Sequence, residues 1–248
     1  MSSGALTSAG PQAFPPTRWS VVLAAQRPHS PESAAALEAI CGAYWYPLYA
    51  YARRAGQSPP DAQDLTQEFF CRLIERRWLE AADREKGKLR TFLMVALKRF
   101  MSKEWRRASA ARRGGGQPQV PLDTVFAESR YAADSHALAP DETFDQQWAL
   151  TLLDLTVKRL QDEFAAAGKP GDFDLIKGCL MAERGSIDYA ALAQGLGATA
   201  GAARVAVHRL RQRFRALYRE EISQTLAEGA DLEAEMRHLA AALARPGA

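Results

Sequence analysis

Residues 186–219 read "SIDYAALAQGLGATAGAARVAVHRLRQRFRALYR", and this stretch decides what kind of protein the chain can be. Ser186 has the side chain of an N-cap and starts a short helix that runs to Leu196. Gly197 supplies the left-handed residue that ends it, and Thr199 caps the next helix. On that second helix Ala203, Val207, Leu210, Phe214 and Leu217 recur at helical spacing as one continuous apolar stripe. Ala193 is small enough for the two helices to approach closely. This is helix-turn-helix spacing, in which the second helix enters the major groove. The opposite face presents Arg204, Val205, His208, Arg209, Arg211, Gln212 and Arg215. From Thr199 to Arg219 there are six arginines and no acid, a footprint suited to phosphates. A solvated face on a helical hairpin would show the same period. Cations with no acidic partner one turn away favour DNA, with Thr199, Arg204, Val205, His208, Arg209, Arg211 and Arg215 as candidate contacts.

Working outward, helical periodicity continues and no segment alternates with period two, so the expected fold class is all-α. On the C-terminal side, a last amphipathic helix covers about 231–244. On the N-terminal side, "WALTLLDLTVKRLQDEFAAAG" and "DFDLIKGCLMA" read as two further helices. Before them, "GGGQPQVPLDTVFAESRYAADSHALAPDETFD" has six acids against one base and no helical stripe of useful length. It reads as a linker too long to be an ordinary loop. The expected organisation is a disordered tail over 1–16, a helical domain over 17–112, a linker over 113–145, a helix-turn-helix domain over 146–226 and a C-terminal extension over 227–248. Two small helical domains would thus be joined by a long acidic linker.

In the first domain, "TRWSVVLAAQ" predicts a short helix. Ser30 caps a long one with Pro31 at its first position, Pro47 as a kink and Gly56 as its stop. Ser58 and Pro59 repeat the start signal. The helix that follows, "DAQDLTQEFFCRLIE" (61–75), lines up Leu65, Phe69 and Leu73 beneath Ala62, with Thr66 and Phe70 at one edge. Its other side collects Asp61, Gln63, Asp64, Gln67 and Glu68. A second basic cluster lies over residues 88–113, with nine Lys/Arg and a single acid, Glu104. Arg99, Lys103, Arg106 and Arg107 share one face of a helix with Phe92, while Leu93, Leu97, Phe100 and Met101 point to the core. Cations interleaved with an exposed ring suit melted nucleic acid, because the cations track phosphates and the ring stacks on bases. Trp105 is either such a ring or part of the core.

Composition narrows the classes. The chain has 248 residues, 47% of them hydrophobic and 25% charged, with a net charge of +3. Functional basicity must therefore be local. No run approaches the roughly 20 apolar residues of a membrane span, and "MSSGALTSAGPQAFPPTRWS" lacks the charged and apolar regions of a signal peptide. Cys41, Cys71 and Cys179 are odd in number and far apart in sequence, which suggests a reducing cytoplasm and excludes a four-cysteine zinc site. Cys71 and Cys179 read as small buried hydrophobes. Four scattered histidines give no metal-ligand pair, and no catalytic or phosphate-loop motif is present. The expectation is a protein that is no enzyme and uses no cofactor or metal.

The two basic modules together resemble a known family. "LYAYARRAGQSPPDAQDLTQEFFCRLIERRWL" with "REKGKLRTFLMVALKRFMSKEWRR" resembles the promoter-melting domain of bacterial sigma factors of the extracytoplasmic-function type. "SIDYAALAQGLGATAGAARVAVHRLRQRFR" is similar to their helix-turn-helix domain, so the likeness covers about residues 18–226. The resemblance implies a transcription initiation factor that binds core RNA polymerase, melts the minus-ten element and reads the minus-35 element. Asp61, Gln63, Asp64, Gln67 and Glu68 would dock on the clamp coiled coil of the largest subunit, with the flap region as a second contact. Lys88, Arg90, Phe92, Arg99, Lys103, Trp105, Arg106 and Arg107 would meet the minus-ten DNA, with one base held in a pocket. The acidic linker would thread a channel built for RNA phosphates.

Departures accompany the likeness. Gln63 stands where the family usually has glutamate, and Val205 and Ala206 replace a frequent polar–arginine pair, so the upstream element should differ from the commonest one. A docking face short of charge suggests a switch in which phosphorylation adds it, with Thr66 or Ser58 as acceptor. Thr66 could instead only pack and Ser58 only cap. A Ser/Thr kinase and an anti-sigma factor are thus further candidate partners, beside core polymerase and promoter DNA and in the absence of any membrane. The rival readings are a stand-alone helix-turn-helix regulator that never binds polymerase, and an anti-sigma-like or scaffold protein that only binds partners.

Overall fold

Ser30 and Ser58 start the two helices that frame the first half of the chain. Each lies in extended backbone, and each hydroxyl accepts from the amide three residues on, Ser33 at 3.0 Å and Asp61 at 3.3 Å. Pro31 and Pro59 follow at a position whose missing N–H costs nothing. Helix α2 (Pro31–Arg54) runs through Pro47 without a break, and α3 (Pro59–Glu75) returns beside it. The computed structural model describes residues 19–27, 30–111, 124–133, 138–183 and 185–245, without the side chains of 105–111, 124–126 and 132–133. The expected tail over 1–16 lies outside the described residues.

Among the described residues the chain forms ten α-helices with three short 3-10 turns and no strand, as the all-α expectation required. It divides into two units, 1–136 and 137–248. In the first, α1 (Trp19–Ala25) packs on α2, and α4 (Leu89–Ala111) completes a core of Val22, Ile40, Tyr44, Leu48, Phe69, Leu73, Leu93, Leu97 and Phe100. Phe69 is its hinge point, with ring centroids 5.5 Å from Phe70, 6.1 Å from Trp78 and 5.9 Å from Phe100. These are distances at which aromatic pairs add to simple area burial.

The stretch read as a linker contains a helix that its sequence did not announce. Helix α5 (Thr124–Ala133) packs its Ala127 and Tyr131 against Tyr46, Tyr49, Ala50 and Ala62 of the first unit. Arg53 donates to both oxygens of Glu128, at 2.8 and 3.2 Å, and the Tyr49 hydroxyl donates to the same carboxylate. The Arg130 guanidinium lies 4.0 Å above the Tyr46 ring. Ten residues rarely hold a helix alone in water, so α5 owes its form to this docking. The acidity expected of a free tether is also partly spent. Glu128 pairs with Arg53, Glu142 with Arg245 at 3.0 Å, and Asp145 with His238 at 3.0 Å.

The second unit comprises α6 (Pro140–Ala166), α7 (Pro170–Ile176), α8 (Tyr189–Gly195), α9 (Ala200–Ser223) and α10 (Leu232–Leu243). Leu160, Phe173, Ile176, Leu210 and Leu217 form its core cluster, with Phe214 packed against it. Helix α10, capped by Asp231, lies on α6 and α9. The N-cap of α8 is Asp188 rather than Ser186: its carboxylate accepts from Ala190 and Ala191 at 2.9 and 3.0 Å. A carboxylate can hold two of the free amides of a first turn where a hydroxyl holds one. The Ser186 hydroxyl instead donates to the Glu183 carbonyl. Gly197 ends α8 at φ 60°, and Thr199 Oγ1 accepts from the Ala202 amide at 3.2 Å, as the sequence predicts.

Candidate nucleic-acid interfaces

Three surfaces gather the residues singled out by the sequence. The first is the outward face of α3. Asp61 and Asp64 are exposed there, and Glu68 is 39% exposed with its carboxylate 2.6 Å from Arg72 Nε. Gln63 is not on this face. It is 7% exposed, so more of the circumference of α3 is buried than its apolar stripe implies. Gln67 is half-buried. The supposed gap in the charged face is therefore partly an inward amide. Thr66 is fully buried, and its hydroxyl donates to the Ala62 carbonyl at 2.7 Å. A kinase has no access to it in the folded unit, which removes Thr66 as an acceptor. Ser58 is exposed, and its hydroxyl donates to Asp61 Oδ2 at 2.5 Å.

The second surface is a cleft of about 300 Å³ between the end of α3 and the outer side of α4. Trp78, Phe92 and Phe100 with Ala81 and Ala96 make its apolar lining, and Arg72, Arg99, Lys103 and Glu104 surround it. Arg77, at φ 51°, turns the chain out of α3 into the 3-10 turn Trp78–Ala81 that brings the indole there. Of the residues expected on this side, Arg99 and Lys103 are exposed, Phe92 and Lys88 half-buried. Arg90 is 8% exposed in the first turn of α4, beside buried Leu89. That burial leaves little of it to meet a nucleic acid. Trp105, Arg106 and Arg107 belong to α4, and their side chains lie outside the described residues. Sequence reasoning missed Trp78, Arg72, Ala81 and Ala96. The aromatic beside two arginines in "RRWLE" was a usable signal for the first.

The third surface is the outer side of α9. Arg204, Val205, His208, Arg209 and Arg215 are exposed, Val205 at 48%. The Arg204 guanidinium stands 5.1 Å from the Tyr189 ring of α8, which fixes its stem without covering its charge. Arg211 differs from the expectation. Its guanidinium donates to the Cys179 carbonyl at 2.9 Å and the Ala182 carbonyl at 2.6 Å, so it ties α9 to the chain before α8. Arg213 donates twice to Glu163, at 2.8 and 2.6 Å, and Arg219 pairs with Glu233 at 2.5 Å. The acids absent from residues 199–219 in sequence arrive from α6 and α10. Hydrogen bonds from Arg213 hold the Glu163 carboxyl below its ordinary value.

Residues 43–111, from within α2 to the end of α4, match the family model described as sigma-70 region 2. This part of the first unit is similar to a sigma-70 region 2. The matched stretch holds both the outward face of α3 and the aromatic cleft. No curated protein and no solved structure matches the chain. No described helix is long and apolar enough to cross a membrane, and the described residues hold no cluster of His, Cys, Asp and Glu able to bind a metal ion.

Proposed function

We propose that the chain is a sigma factor of the extracytoplasmic-function type, a transcription initiation factor that acts in the cytoplasm and performs no chemistry of its own. The observation that carries this reading is the aromatic cleft inside region 2. Apolar rings with Arg72, Arg99 and Lys103 around them give a flipped base a surface to stack on and its phosphates a counter-charge. Asp61, Asp64 and Glu68 on the outward face of α3 dock the clamp coiled coil of the polymerase largest subunit. Arg204, Val205, His208, Arg209 and Arg215 of α9 meet the minus-35 element, with the helix start at Thr199 against a phosphate. Ser58 remains the accessible hydroxyl at which a kinase could add charge to the docking face. A stand-alone regulator would use α8 and α9 but leaves the region 2 match and its cleft without a purpose.

The test is run-off transcription from genomic fragments with core polymerase and this chain. Promoter-specific transcripts that fall when Arg99 and Lys103 are both changed to Ala support the reading. Binding to DNA fragments with no transcript and no complex with core enzyme would refute it in favour of the stand-alone regulator.

A further inference from the structure

Two of the three thiols, remote in sequence, come level with one another in the helical hairpin of region 2. Helices α2 and α3 run antiparallel, and two observations set their register. Ala50 and Ala62 pack in one cluster, and near the other end Leu37 lines the same hollow as Ile74. Stepping along α2 and back along α3 from either pair brings Cys41 level with Phe70 and Cys71. The sequence reading of Cys71 as a buried hydrophobe is thereby corrected. Cys71 is exposed on the outer side of α3, whereas Cys41 is half-buried on α2 and Cys179 is buried in the second unit. The thiols also sense one another: burial first, and then the neighbouring Cys71, push the Cys41 thiol up to about 11.

We infer that Cys41 and Cys71 are a modification site, closing into a reversible intramolecular disulfide when a low-molecular-weight disulfide is present. Exposed Cys71 reacts first. Its thiolate attacks one sulfur of the reagent, the reagent's S–S bond breaks, and one thiolate leaves and takes up a proton. A mixed disulfide now stands on Cys71. Cys41, held protonated at rest, gives up its proton and attacks the Cys71 sulfur, and the second reagent thiol departs. Two protein thiols are oxidised and one disulfide is reduced to two thiols, so the exchange balances. The product staples α2 to α3 and closes the chain between them into a loop, which restricts the unfolded state. Cys71 shares its side of α3 with Asp64 and Glu68, so the intermediate adduct would stand in the docking face, a consequence that rests on the function proposed above.

The full chain is equilibrated in buffers of graded reduced and oxidised dithiothreitol, quenched with an alkylating reagent, unfolded and mapped by mass spectrometry. The expected result is a linked peptide pairing Cys41 with Cys71 that grows with the oxidised fraction and vanishes on reduction, with Cys179 recovered unlinked. Cys41→Ser and Cys71→Ser each lose the link, Cys179→Ser keeps it, and the oxidised wild type unfolds at higher urea than the reduced form. Full alkylation of Cys41 and Cys71 at every ratio would overturn the assignment, as would links that include Cys179 as often as Cys71. The map on the wild-type chain decides the matter even where a variant fails to fold, and it requires no polymerase, so it stands or falls apart from the proposed function.

Discussion

Helices α3 and α9 have the same outline in sequence, one apolar stripe with a charged back, yet the two backs have different fates. On α3, Asp61 and Asp64 reach solvent and Glu68 pairs with Arg72 one turn along its own helix. On α9, Arg211, Arg213 and Arg219 are drawn to carbonyls or carboxylates from the chain before α8, from α6 and from α10. Arg204, Arg209 and Arg215 stay exposed. A helical wheel reports which residues share a side, but it does not report how many neighbours flank the helix. Helix α9 is gripped from several sides, so its arginine count overstates the charge left exposed on its surface.

The comparison breaks most visibly where a charge is buried. Arg159 of α6 donates to Glu221 at 2.9 Å and Glu220 at 2.7 Å, and Glu221 is 1% exposed. Arg159→Ala leaves that carboxylate without its cation and is expected to cost about 3 kcal/mol, read as a lower urea midpoint for the second unit. Arg211→Ala follows at about 2 kcal/mol, since it removes two charge-assisted hydrogen bonds to backbone carbonyls. Arg215→Ala should change stability by less than about 0.5 kcal/mol while weakening promoter binding and lowering its salt slope by about 1. A large stability loss in Arg215→Ala, or none in Arg211→Ala, would erase the division between structural and free arginines.

The smallest effect concerns Arg213. The Glu163 carboxyl is held low by Arg213, so their pairing stabilises the fold above the ordinary carboxylate value of about 4.3. That contribution fades as pH falls through the lowered folded value. Both groups are partly exposed, and the pair is worth about 0.5 kcal/mol. Arg213→Ala should therefore lower the urea midpoint slightly at neutral pH and not at all at the acid end, in a titration of unfolding against pH.

What the sequence made legible acts within one or two helical turns. Ser30, Ser58, Gly197 and Thr199 were readable because a cap or a left-handed residue works on its own neighbours, and the stripe from Ala203 to Leu217 because its period is local. The remainder depended on chain brought from afar. Arg211 meets a carbonyl 32 residues away and Arg53 meets Glu128 across 75. Gln63 and Arg90 turn inward, and Thr66 is sealed, because neighbouring elements close over them. Helix α5 carried no usable signal, since its ten residues need the aromatic surface of α2 to stay folded. Of the candidate site, Arg99 and Lys103 of the cleft were legible and Arg72 was not, while the indole of Trp78 arrives through a left-handed turn at Arg77 that no period encodes.

The claim on which the account rests is that the outward face of α3 serves polymerase while α9 serves DNA. The direct measurement is the affinity of core RNA polymerase for the wild-type chain and for Asp64→Lys, with promoter-fragment binding by the same two proteins alongside. Asp64 is exposed, so the reversal leaves the fold intact to within about 0.5 kcal/mol. The account predicts core affinity at least tenfold weaker, about 1.4 kcal/mol, with binding to free promoter fragments unchanged. Equal core affinity in the two proteins, at equal helix content, would contradict it.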